Sequence, residues 1–435
     1  MMIILSLFFQ ILLILLGDRR KHNTGKKIGF FIWVAYLGAD SVATFALGVL
    51  SKTQQGQRHT QTDELRAFWA PFLLLHLGGP DTITAYALED NELWLRHLLA
   101  LLIQVSVAFY VIFRSWTRTP ISVLTILMFF TGIIKYGERT LALRWASKEH
   151  FRKSMLSESP PDPGPNYAKF MEGYVSKQEE GFVVDVVRIS EDRLKLKKGQ
   201  SYSLHHQIPI GGEINASEPA ENHILEKKAH HLFKTFKRLY AGLILKYWEG
   251  EESKQFIKQS TPEKAFEVVE IELGFMFDLL YTKMPLVCTR EGAKLRLFCF
   301  CLTICVFVSF FTTVENPKHR PHYSNVDIFI TYLLLNSAIL LELYGFIILL
   351  SSDRMILWLS KHKHKHKMAS MAYFLMKPLQ RKKRWSNSMG QYNVISSCLK
   401  DEATTFSIMT LTRLCNDQEM LDTYWYTFSN TFLLR

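Results

Sequence analysis

Residues 66–97 read RAFWAPFLLLHLGGPDTITAYALEDNELWLRH. An apolar run is cut by Gly78-Gly79-Pro80-Asp81 and resumes as Thr82 to Leu88. Glycine and proline weaken a helix interior, so the run is expected as a broken helix over 67–88, with Asp81 capping its second half. Pro71 falls in the first turn or so, where a missing N–H is tolerated. How this stretch meets a membrane decides the side on which every later segment lies. If it crosses, the chain has seven spans; if it turns back as a re-entrant hairpin, it has six.

Working outward, apolar segments of membrane-crossing length are expected near 2–16, 28–50, 93–113 and 120–142 in an N-terminal bundle over 1–147, and as a pair over 297–350. Met1 to Leu16 lacks a basic leader and a small-residue cleavage site and runs into Asp18-Arg19-Arg20-Lys21, so it is expected to remain as an anchor. Glu89-Asp90-Asn91-Glu92 stands at the start of the span that follows the opening stretch, where acids suit the helix dipole. Thr119-Pro120 is a helix start, and the apolar run from it ends at Ile134. That is only about 22 Å of helix, so Lys135, Glu138 and Arg139 are drawn towards the membrane.

The polar region 148–296 is expected as a cytosolic insert, mixed but mainly helical. It opens with a flexible linker at Pro160, Pro161, Pro163 and Pro165, followed by one short strand over Gly181 to Ile189. Leu225, Ala229, Leu232, Phe236, Leu239, Leu243 and Tyr247 make one apolar helical stripe. A second helix opens at Thr261-Pro262-Glu263, carries Phe266, Val269, Leu273, Met276 and Leu280, and closes at Pro285. The two stripes suit packing on each other or lying on a bilayer. The fold class is therefore an all-α polytopic membrane protein of six to seven transmembrane helices, with this insert between spans and a basic tail over 351–435.

The chain has 435 residues, 48% of them hydrophobic, and a formal net charge of +12. Apolar residues fall in blocks, the signature of spans rather than of a soluble core. Between Ser352 and Arg384 ten Lys/Arg stand against one acidic residue, beside the last span. That placement suits the cytosolic face of a bilayer and not a nucleic-acid groove, so anionic lipid is the expected partner of Lys361, Lys363, Lys365, Lys367, Arg381, Lys382, Lys383 and Arg384. His362, His364 and His366 alternate with these lysines, but no nearby Cys or carboxylate completes a metal shell. Six cysteines are too few for a disulfide scaffold.

Ionisable residues inside spans are costly, and they mark either a pathway or an internal ion pair. Asp40 and Glu342 are the strongest candidates, with Asp81, Lys135, Glu138 and Arg139 beside them. Asp40 is expected within ion-pair reach of Lys135 or Arg139. There is no phosphate loop, no dinucleotide fingerprint and no HExxH, so neither an enzymatic activity nor a cofactor is expected.

Four fragments carry a resemblance: the opening stretch from FWAPFLLLHLGGPDTITAYALEDNELWLRHLL, Ala35 to Ser51 (AYLGADSVATFALGVLS), Gly132 to Leu143 (GIIKYGERTLAL) and Glu272 to Lys283 (ELGFMFDLLYTK). Over roughly residues 1–400 the chain resembles the plant family of membrane proteins known as domain of unknown function 4220. The resemblance implies class and lineage, but no catalytic residue, substrate or mechanism. A structural, scaffolding or signalling membrane component is the expected function. The alternative is a transporter or channel built on the intramembrane acids.

The sides follow from charge. The loop Gly17 to Lys27 holds five Lys/Arg. Seven spans place it with the basic tail on the inside, as the positive-inside rule favours, whereas six spans place it opposite.

Overall fold

The computed structural model describes residues 1–22, 25–53, 61–117, 119–155, 218–243, 247–315, 323–350 and 352. The expected proline-rich linker, the strand over 181–189 and the basic residues from Lys361 to Arg384 lie outside the described residues. Every regular element among the described residues is helical.

The chain divides into two compact units, Met1–Phe151 with Leu273–Leu434, and Arg152–Glu272. In the first, α1 (Met2–Leu16) turns through a short 3-10 helix (Gly17–Lys21) into α2 (Lys26–Thr53). Then come α3 (Gln61–Ala67), α4 (Ala70–Gly78), α5 (Leu88–Glu92), α6 (Trp94–Arg114), α7 (Pro120–Ala146) and, as far as Phe151, α8 (Lys148–Met155). Among the described residues, six helical segments are long and apolar enough to cross a membrane: Met2–Lys21, Lys27–Lys52, Trp94–Arg114, Pro120–Ala146, Arg290–Val314 and Asn325–Leu350.

The second unit holds α9 (Glu218–Tyr240), α10 (Tyr247–Gln259) and α11 (Pro262–Tyr281) as far as Glu272. The first stripe is shorter than its periodicity suggests, because Gly242 takes φ +72 and ends the helix before Leu243, leaving Tyr247 to open a separate helix. Ala229, Leu232 and Phe236 are buried as expected. The second stripe holds at its C-terminal end, where Met276 and Leu280 are buried as expected, but Val268, Ile271 and Phe275 are buried as well, while Phe266 is 44% exposed. That helix ends at Tyr281, and Pro285 belongs instead to the first turn of α12 (Met284–Val287). α13 (Arg290–Glu315) and α14 (Asn325–Leu350) complete the first unit.

Contacts along the first unit fix the path of the opening stretch. At one end of the bundle Glu64 accepts hydrogen bonds from Thr119 and, at 2.8 Å, from Ser122, while Arg66 lies 3.5 Å from Asp327. These partners begin α7 and α14. At the other end Tyr86 donates to the Gly29 carbonyl, Arg20 lies over the Tyr86 ring at 4.2 Å, and Lys148 N donates to Glu92 at 2.7 Å. These partners begin α2 and follow α7. Residues 61–88 therefore traverse the bundle from one end to the other, antiparallel to α2, which runs from Gly29 towards the first end. This seventh traverse is not a helix of spanning length.

Its second half is not helical either. Residues 79–87 are irregular, and Asp81 caps nothing, contrary to the sequence expectation. Their polar backbone is satisfied by other segments. Thr84 N donates to Tyr281 O at 2.8 Å, Lys283 N to Asp81 O at 3.2 Å, and the Asp90 carboxylate accepts from Tyr86 N and Ala87 N at 2.8 and 3.0 Å. These partners remove the need for a second half-helix to satisfy the buried backbone.

α4 and α7 cross through two glycines. A Cβ on Gly78 would stand 2.8 Å from the Lys135 carbonyl carbon, and one on Gly132 would stand 2.9 Å from the Pro71 oxygen. Backbone meets backbone here, the arrangement small residues allow between helices in lipid. Around it lies the main apolar core, with Phe68, Phe72, Leu73, Met128, Phe310 and Leu335 all fully buried.

Candidate functional site

The break in the opening stretch leaves the last carbonyls of α4 without helical partners, and other elements supply them. Gln10 of α1 donates to His76 O at 2.8 Å, Arg139 of α7 to Leu77 O at 2.9 Å, and Lys283 Nζ to Gly79 O at 3.1 Å. Gly79 takes φ +66, a conformation that suits glycine. Two of the three donors are cations at the negative end of a helix dipole.

Those cations belong to a cluster of eight charges. Arg139 grips Asp40 of α2 through both terminal nitrogens, at 2.6 and 2.9 Å. The planar fork matches a carboxylate and makes this a strong form of pairing. Lys135, one helical turn earlier on α7, lies 2.7 Å from Glu342 of α14. Arg296 of α13 pairs with Asp81 in the irregular segment and lies 3.6 Å from the second Glu342 oxygen. Gly345 of α14 leaves room for this pair: a Cβ there would stand 2.5 Å from an Arg296 nitrogen and 2.9 Å from an Asp81 oxygen.

Lys283 enters from the turn between α11 and α12. It is fully buried and reaches the Gly79 and Lys135 carbonyls. Burial pushes its ammonium down to about 8, against the upward pull of the Asp81 and Glu138 carboxylates. Glu138 is buried at 4% exposure, and its Oε2 has no hydrogen-bond partner among the described residues.

Asp40, Asp81, Glu138 and Glu342 thus face Lys135, Arg139, Lys283 and Arg296, four acids against four cations. All six span-associated residues singled out in the sequence meet here. Arg296 and Lys283 escaped that reading for different reasons. Arg296 stands one position before the expected span start at Leu297, whereas α13 begins at Arg290. Lys283 closes the fragment ELGFMFDLLYTK in a region expected as a cytosolic insert. Among the described residues no group of three or more His, Cys, Asp or Glu is placed to hold a metal ion.

Each fragment that carries the family resemblance supplies part of the cluster: Asp40 from the first, Gly79 and Asp81 from the broken stretch, Lys135, Glu138 and Arg139 from the third, and Lys283 from the last. No curated protein and no solved structure matches the chain. A family model described as Domain of unknown function (DUF4220) matches residues 33–398, a range that contains all eight charges. The chain belongs to the DUF4220 family.

Proposed function

We propose that the chain is a plant multi-pass integral membrane protein with its N-terminus outside and its C-terminus in the cytosol, serving as a structural, scaffolding or signalling component. In this reading the charge cluster is an internal lock between the spans. One observation carries it: the cluster sets four acids against four cations, and Asp40, Asp81 and Glu342 are each in an ion pair within it, which is the arrangement of a lock and not of a vacant ion site. The basic residues Arg19, Arg20, Lys21 and Lys148 gather at one end of the bundle and support the sidedness, since positive residues favour the inside. The run from Lys361 to Arg384 then meets the cytosolic leaflet, where each Lys or Arg near anionic lipid contributes about 1 kcal/mol.

Purified protein in vesicles, tested for flux against a panel of ions and metabolites, is expected to match protein-free vesicles. Transport is the second reading, favoured by the irregular backbone at 79–87 among interior charges and by the unbonded Glu138 oxygen, features that transporter sites share. Flux abolished by Glu138→Gln would establish it in place of the first.

A further inference from the structure

Asn336 is an anomaly on α14. It lies near the middle of a helix that is otherwise apolar over most of its length, and its side chain is exposed. Its amide donates one hydrogen bond, at 2.8 Å, to Tyr332 O on its own helix. The carbonyl oxygen and the second N–H have no partner among the described residues. Resting on the reading that α14 crosses a membrane, this places an amide in hydrocarbon, where unpaired polar groups are costly.

The surrounding face has a specific period. Phe329, Leu333, Asn336, Leu340, Leu343 and Ile347 follow one another at intervals of four, three, four, three and four residues, the seam of a pair of supercoiled helices. Phe329 and Leu340 are 66% and 64% exposed, Leu343 and Ile347 are also exposed, and Leu333 is half-buried at the edge of the main core. Asn336 holds a central seam position, where a single asparagine fixes register and partner.

We propose that this face joins two copies of the chain, with α14 packed on α14 and the Asn336 amides hydrogen-bonded to each other. An amide is both donor and acceptor, so it complements itself. Two copies in one membrane related by a two-fold axis along the membrane normal place the same residue at the same depth, and their α14 helices run parallel. A different protein would need its own amide at that depth. The isologous arrangement needs nothing beyond the chain itself.

The test uses the full-length chain labelled with donor and acceptor dyes and reconstituted in vesicles at falling protein-to-lipid ratio. The wild type is expected to show energy transfer that a two-state dimer describes. Asn336→Leu should weaken association about tenfold, the scale of one interhelical side-chain hydrogen bond in a membrane, and Asn336→Gln should retain most of it. Equal association of the wild type and Asn336→Leu overturns the proposal. So does a wild type that is monomeric throughout, or one that dimerises only after removal of residues 353–435, which would assign the face to that segment. Carbonate washing of membranes separates the two levels. A chain stripped from the membrane defeats the membrane reading itself, whereas a chain that stays and is monomeric defeats this inference alone.

Discussion

The Lys283 ammonium lies 3.1 Å from the carbonyl oxygen of Gly79, 204 positions earlier in the chain. The contact joins the turn before α12 to the point where the opening stretch loses its helix. Beside it, Lys283 N bonds Asp81 O and Thr84 N bonds Tyr281 O, so the irregular segment 79–87 and the C-terminal end of α11 with its following turn stabilise each other.

Burial holds Lys283 at about 8, below the usual lysine value of 10.5, so the folded state disfavours its charge. The unfolded chain binds the proton more tightly, and the contribution of Lys283 to stability is therefore fully present above 10.5 and is lost as pH falls through 8. Melting temperatures of the wild type and Lys283→Met in detergent, compared from pH 7 to 10.5, are expected to diverge in favour of the wild type as pH rises. A constant offset, or a change of opposite sign, contradicts this assignment.

Asp40→Ala strands the buried Arg139 guanidinium. The expected loss is about 3 kcal/mol, at the low end for breaking a buried pair, because the Asp40 side chain keeps 34% exposure. Adding Arg139→Leu to Asp40→Ala should recover part of that loss, since removing both charges avoids an uncompensated ion. Losses that simply add in the double variant would show that the two residues do not interact.

At the α4–α7 crossing a methyl group has no room. Gly78→Ala and Gly132→Ala are each expected to cost about 1–3 kcal/mol through forced separation of the helices. Gly137→Ala, on the same α7 but with nothing within 4 Å of its would-be Cβ, should be neutral or stabilise by up to about 1 kcal/mol from helix propensity. Thermal shifts of the three variants test the crossing, and equal shifts would refute it.

Much of this architecture was legible in the sequence because long apolar helices announce themselves by the length of their apolar runs. The six long helices appear where expected, and α2, α7 and α13 extend several residues beyond their apolar runs. Asp40 and Glu342 stood out because a charge within such a run has no surface to reach. The partner of Asp81 was hidden, since Arg296 looks like a flanking residue until the helix is known to begin at Arg290. Thr82 to Leu88 misled in the other direction. Its apolar residues suit a helix, yet its backbone is held by Tyr281, Lys283 and Asp90, and partners so distant in sequence leave no periodic signal. The exposure of Phe266 at the start of α11 has a similar cause, because Phe266 and Val268 are both apolar and local spacing does not choose between them.

The most direct test of the account is the sidedness of the two ends of the broken stretch. In a chain with its six cysteines replaced, Lys52→Cys lies before residues 61–88 and Glu89→Cys after them, and both positions are exposed. In intact cells an impermeant thiol reagent should label Lys52→Cys and should label Glu89→Cys only after permeabilisation, which would make residues 61–88 a membrane crossing and place the N-terminus outside. Labelling of both positions from the same side would show that the stretch turns back, and the seven-crossing account would fall with it.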